Sequence, residues 1–220
     1  LAAAAKLEMP DVREKVLRDI KLLEKETLSY KSAVLDYQML MLHVTFFNYT
    51  NQSSRSLDYL QRALELLSKK QEQFSIADNY YVRQKFAEAL YFSSRFDEAL
   101  ASYKSVARDF EILFSEDSYA KVKTIQLLMI TGNCAEAKNL LDTDFSNYNL
   151  IDNPSISVRT AITYAQLYLL QGEFEKAWEF ILLGKNRVSK NLYIQYEIEL
   201  RNLENAYFYL TGDKVLARDL

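Results

Sequence analysis

Side chains able to do nucleophilic or acid–base chemistry are scarce in this 220-residue chain, which has one histidine, His43, and one cysteine, Cys134. A Cys–His or Ser–His pair would need His43 as its base, within hydrogen-bond reach of the nucleophile and of the substrate. His43 instead lies in "LMLHVTFF", whose apolar neighbours place it in a core as a satisfied, buried histidine. Cys134 stands where related segments carry an aromatic residue, so it reads as a packing residue rather than a reactive thiol. One His and one Cys cannot furnish a structural zinc site, and "DTD" (Asp142 to Asp144) is too isolated to cage calcium. Phosphate-cradling loops are excluded as well, because no two of the four glycines lie within ten residues of each other. The sequence therefore predicts a protein that is not an enzyme and uses no metal and no cofactor.

Charge and hydropathy narrow the partners. Lys and Arg number 27 against 30 Asp and Glu, and no basic run exceeds the pair Lys69-Lys70, so direct nucleic-acid binding is not expected. The most apolar stretch, "AVLDYQMLMLHVTFF", is interrupted by Asp36, Gln38, His43 and Thr45 and falls short of the about 20 residues that cross a bilayer. It reads as a core helix, and membrane insertion is not expected. A single cysteine excludes an internal disulfide framework and fits a reducing compartment, so a cytoplasmic location is expected. The triplets "NYT" and "NQS" are read as chance matches to glycosylation acceptors. The chain opens on Leu1 and stops at Leu220 within a helical pattern, and is read as a fragment of something longer.

What remains to be positioned is a set of polar and aromatic side chains, and their carriers are helices. Two prolines and four glycines are too few for a turn-rich β protein, whereas Leu, Ala, Glu, Lys and Gln recur throughout. Gly132, Gly172 and Gly212 stand 40 residues apart, and similar steps backward reach Ser94 and Ser54. Five residues beyond these markers come Tyr59, Ala99, Ala137, Ala177 and Ala217. Apolar positions at helical spacing precede each marker, such as Ile162, Ala165 and Leu169, and others follow, such as Phe174, Ala177 and Ile181. A residue just past a helix end often takes the left-handed conformation, which suits glycine. Each unit is thus a helical hairpin, with Ala99 and Ala177 facing Ala87 and Ala165 where its two helices cross. The pattern predicts a first helix over 10–28, then pairs over 30–50 and 55–70, 76–93 and 96–114, 118–131 and 134–142, 155–171 and 174–188, and finally 191–210 and 214 onward.

In "FAEALYFSSRFDEALASY" (Phe86 to Tyr103) and "YAQLYLLQGEFEKAWEFI" (Tyr164 to Ile181) the order small residue, turn, aromatic, alanine resembles the tetratricopeptide repeat. Other units depart from it: Cys134 and Ile125 replace the aromatic and the small residue around Gly132, Lys214 and Asn205 do so around Gly212, and Tyr59 replaces the first alanine. The period is near 40 rather than 34, and the closing proline is absent. The resemblance implies an all-α fold, an α-solenoid built as a superhelical stack of antiparallel helix pairs, with residues 1–220 forming one helical-repeat domain of about five pairs. It further implies a concave face lined by the first helix of each pair. Counted from the alanine marker, that face carries Tyr81, Gln84, Glu88 and Tyr91, then Tyr119, Lys123 and Gln126, then Arg159, Thr163 and Gln166, then Asn202 and Tyr209. Amides, aromatics and single charges suit a polypeptide. The expected function is a non-catalytic module that binds a protein or peptide on its concave face. The alternative is a ligand- or peptide-sensing domain of a larger transcriptional regulator, and self-association through exposed hairpin ends is a third role.

Overall fold

A computed structural model describes residues 10–110, 119–145, 154–188 and 194–213. The chain divides into two compact units, residues 1–115 and 116–220. The described residues of both are helical, with no strand among them.

The first unit holds α1 (Pro10–Thr27), α2 (Ala33–Tyr49), α3 (Ser53–Lys69), α4 (Ile76–Phe92) and α5 (Phe96–Phe110). Each helix packs on the next in sequence, α1 on α2, α2 on α3, α3 on α4 and α4 on α5. The second unit holds α6 (Tyr119–Ile130), α7 (Cys134–Asp144), α8 (Pro154–Gln171), α9 (Phe174–Arg187) and α10 (Ile194–Thr211). Here α6 pairs with α7 and α8 with α9, α10 lies against α9, and the leading helices α6, α8 and α10 contact one another in order. Sequential side-by-side packing of helix pairs is the arrangement of an α-solenoid. Boundaries agree with the sequence pattern to within a few residues. The expected helix from 214 onward, with Lys214 and Ala217, lies outside the described residues, as do 111–114 and most of the loop before Pro154.

Burial explains the division of labour between the two helices of a pair. The trailing helices bury one stripe: Leu57, Leu60, Ala63 and Leu67 on α3, Ala99, Tyr103 and Val106 on α5, and Ala177, Ile181 and Gly184 on α9. Spacing of three and four residues sets those side chains on one face. The leading helices are covered on more than one side, α8 burying Ser157, Val158, Thr160 to Ala165, Leu167 and Tyr168. A helix wedged between its own partner and its neighbours must be apolar over most of its circumference. Start signals are local: Pro154 opens α8 where its missing amide costs nothing, and Ser75 and Asp78 cap α4 reciprocally, at 2.9 and 3.2 Å.

One hydrogen-bond pattern closes the four hairpins whose two helices are both described. Gly172 donates to the Leu169 carbonyl at 3.2 Å and Glu173 to the Tyr168 carbonyl at 2.9 Å. Gly132 and Asn133 do the same to Met129 and Leu128, and Ser94 and Arg95 to Tyr91 and Leu90. These paired 5→2 and 6→1 bonds form the Schellman motif, whose pivot needs a left-handed backbone. Its φ is +73° at Gly172 and +60° at Ser94.

The first hairpin departs from the expected register. Its left-handed pivot is Asn51, at φ +55°, and Asn51 and Gln52 repeat the bonds to Asn48 and Phe47. Ser54 is inside α3 rather than at the turn. The residue five beyond the pivot is therefore Ser56, 0% exposed, and not Tyr59, which is only partly buried and stacks on His43. Serine is small enough for the seam, and its hydroxyl donates to the Ser53 carbonyl at 2.7 Å, so a polar residue is tolerated there.

The pivots give a paired prediction. A serine in the left-handed region strains its β-carbon against the backbone by about 1 kcal/mol, so Ser94→Gly is expected to raise stability by about that much. At Gly172 a β-carbon would meet nothing within 4 Å, so only the φ of +73° opposes it. Gly172→Ala should then cost about 1 kcal/mol by the same conformational argument. Urea unfolding of both variants checks the opposite signs; equal signs would contradict the assignment of these pivots.

Candidate functional site

In the first unit α2 and α4, the leading helices of successive hairpins, stand on either side of a cleft. Its volume is about 460 Å³, and α2 contributes Val44, Thr45, Asn48 and Tyr49 while α4 contributes Tyr81, Lys85, Glu88 and Phe92. Lys85 Nζ lies 2.6 Å from Glu88 Oε2 and 5.8 Å from the centre of the Tyr81 ring. The cleft therefore carries one cation and one anion in contact, with amide, hydroxyl and aromatic surface around them. On α2 the Tyr37 hydroxyl is pushed up to about 12 by burial, and Asp78 and Tyr81 add to the effect, so it stays a neutral donor. Arg83 ties α4 to α5, with Nη2 at 2.6 Å from both Ser105 Oγ and Asp109 Oδ2. That bond, with a second from Arg108, holds the Asp109 carboxyl down to about 2.

Of the four α4 positions expected on this face, Tyr81 and Glu88 line the cleft; Gln84 and Tyr91 do not. Tyr91 turns toward the hairpin end, its ring centre 5.8 Å from Phe96 and 5.4 Å from Phe92. Thr45 and Asn48 were missed. Both fall on α2 at offsets that the count from the marker uses in the later hairpins, so the signal was present, but the count was not carried back to the first hairpin.

The second unit gathers the expected residues of α6 and α8 into one strip. Lys123 Nζ donates to Gln126 Oε1 at 3.0 Å, and Gln126 Nε2 donates across to Gln166 Oε1 on α8 at 3.3 Å. Arg159 lies between two tyrosines, its guanidinium carbon 5.1 Å from the Tyr119 ring centre and 5.6 Å from that of Tyr196 on α10. Its Nε and Nη2 both donate to Tyr196 Oη, at 3.2 and 2.6 Å. Thr163 is fully buried, and its hydroxyl turns back to the Arg159 carbonyl at 2.8 Å, so it supports the helix rather than the surface. Asn202 and Tyr209 are exposed on α10 and share no bond or ring contact with the strip among the described residues. Tyr196 falls outside the counted positions, and nothing in the repeat pattern marked it.

His43 is 1% exposed, stacked on Tyr59 with ring centres 4.4 Å apart, and its Nε2 lies 3.3 Å from Glu24 Oε2. Its Nδ1 has no partner among the described residues, so it is half satisfied where full satisfaction was expected. Cys134 opens α7 as a partly buried free thiol. Among the described residues no group of three or more His, Cys, Asp or Glu is placed to hold a metal ion, and no helix is long and apolar enough to cross a membrane. No family model and no curated protein matches the chain.

Proposed function

We propose that the chain is a tetratricopeptide-like array that binds a polypeptide against its leading helices. The observation that carries this reading is the cleft between α2 and α4, about 460 Å³ in volume and lined by Thr45, Asn48, Tyr81, Lys85 and Glu88. An extended peptide presents alternating amides and side chains, and amide and hydroxyl side chains bond the first while tyrosine rings cover the second. The Lys85–Glu88 pair is about one quarter exposed on each side, so it is worth only about 0.5 kcal/mol and can reorganise around a ligand. In the second unit the Gln126 and Gln166 amides lie on the equivalent helices and extend the same chemistry.

The test is selection of peptides from a random twelve-residue display library on the immobilised chain, followed by affinity measurement of the selected sequences. Combined Asn48→Ala, Tyr81→Ala and Glu88→Ala substitutions, or combined Gln126→Ala and Gln166→Ala, are expected to weaken at least one selected class by about tenfold or more. Thermal unfolding of each variant establishes that the fold is kept. Enrichment of no peptide, or affinities that neither set of substitutions moves, would refute the reading.

A further inference from the structure

Helix α1 has one face settled within the chain. Ile20 is buried, and Val16 and Leu17 lie half-buried beside it in a cluster with Met39, Phe46 and Phe47 of α2. Leu22, two residues on, is turned about 200° away from Ile20 by the helical pitch. It is 58% exposed, and Leu23 beside it is 47% exposed. Single surface leucines are ordinary. Here Leu28, Tyr30 and Val34 follow and are exposed too, so large apolar side chains crowd one short stretch of sequence.

Around Leu22 the helix carries Arg18, Asp19, Lys25 and Glu26, all exposed. None of these side chains has an ion pair or hydrogen bond among the described residues. Their order is complementary to its own reverse: at equal steps from Leu22, Arg18 is matched by Glu26, and Asp19 by Lys25. At about 100° per residue, the first two stand about 40° to either side of Leu22 and the second two about 60°. Two copies of such a helix, laid antiparallel about a two-fold axis through Leu22, set each residue against the one equally far beyond the axis in the other copy. Leu22 then meets Leu22, Arg18 meets Glu26 and Asp19 meets Lys25, each ion pair occurring twice. Moving the axis by half a residue sets Asp19 against Glu26 in one direction and Arg18 against Lys25 in the other. The charges therefore admit one register and reject its neighbours.

We propose that the outward face of α1 joins two copies of this chain, helix against antiparallel helix, with Leu22 on the two-fold axis. The occupant is a second copy because self-complementary order is what a two-fold contact requires and what an unrelated partner does not. Leucine contact supplies attraction, while the ion pairs, individually worth little at a surface, set direction and register. One helix from each copy is a small interface, so the dimer is weak and reversible. None of these residues lines the cleft between α2 and α4, so pairing consumes no part of the peptide-binding face.

Sedimentation equilibrium of the 220-residue chain, from micromolar to millimolar concentration, tests the contact. Expected is a reversible monomer–dimer equilibrium that weakens as salt is raised, since exposed ion pairs are screened. Arg18→Glu alone and Glu26→Lys alone should each weaken the dimer by about tenfold or more, because two attractive contacts become two repulsive ones. Mixed in equal amounts, these two variants should associate with each other as well as the unmodified chain does with itself, because opposite charges face each other again. Loss of fold cannot be rescued in this way. Leu22→Ala, at an exposed position that leaves the fold intact, should weaken pairing by about tenfold. A chain that stays monomeric throughout overturns the proposal, and so does a mixture that fails to associate. A dimer that the single reversals leave unchanged forms through another face, such as the exposed hairpin ends, and overturns it too.

Discussion

Trimming Ile162 to alanine is expected to lower the unfolding free energy of the second unit by about 3 kcal/mol, the cost of a buried isoleucine truncation in a core that cannot fully collapse. Ile162 is 0% exposed, at the centre of a cluster with Val158, Ala165, Ile181, Tyr196, Leu200 and Leu203. Its neighbours come from α8, α9 and α10, three separately anchored helices, so no single one can move in to fill the void. Trp178, the only tryptophan, sits in the same unit with its ring centre 4.7 Å from Tyr207. Urea unfolding followed by its fluorescence reads the change directly. A loss below about 1 kcal/mol would mean that the three helices close on the gap and that the packing is looser than described.

Enlarging a seam residue is expected to be as damaging as emptying the core. Ala177, on α9 five residues past the Gly172 pivot, is fully buried, as is Ala165 on α8, and these two helices pack on each other. Leucine there adds three carbon atoms between two backbones whose approach the preceding Schellman turn fixes. Overpacking of a tight site typically costs 1 to 3 kcal/mol, and about 3 is expected here because neither backbone can yield without opening the turn. The control is Ala135→Leu on the exposed face of α7, expected to change stability by less than about 0.5 kcal/mol. Equal effects at both positions in the same urea experiment would refute the seam.

Much of this architecture was legible because a few residue types are forced. Gly132, Gly172 and Gly212 marked their turns since a positive φ strains most other residues, and the alanines marked the crossings since only small side chains fit. The first hairpin was misread for the converse reason. Asn51 and Ser94 also occupy left-handed pivots, and asparagine tolerates that region, so no glycine advertised the turn. A choice among nearby serines then slid the register by three, and with Tyr59 in place of an alanine the face count was not carried onto α2, which left Thr45 and Asn48 out of the candidate site. Gly184 shows a different limit. It lies within α9, and a β-carbon on it would come 2.6 Å from Leu200 Cδ2 of α10. That glycine makes room for a neighbouring helix, a fact that no pattern within its own segment could carry. Tyr196 was invisible for a related reason, since its role depends on which arginine lies across from it.

The turn-to-turn step varies between 38 and 43 residues, with pivots at 51, 94, 132, 172 and 212, yet each of the first four closes with the same two backbone bonds. Because every pair of helices is clasped at one end only, the opposite ends are at liberty to grow or shrink. Insertions and deletions are thus steered to the loops between pairs, where an array can be lengthened, spliced or recombined during evolution without resetting the contacts at its crossings.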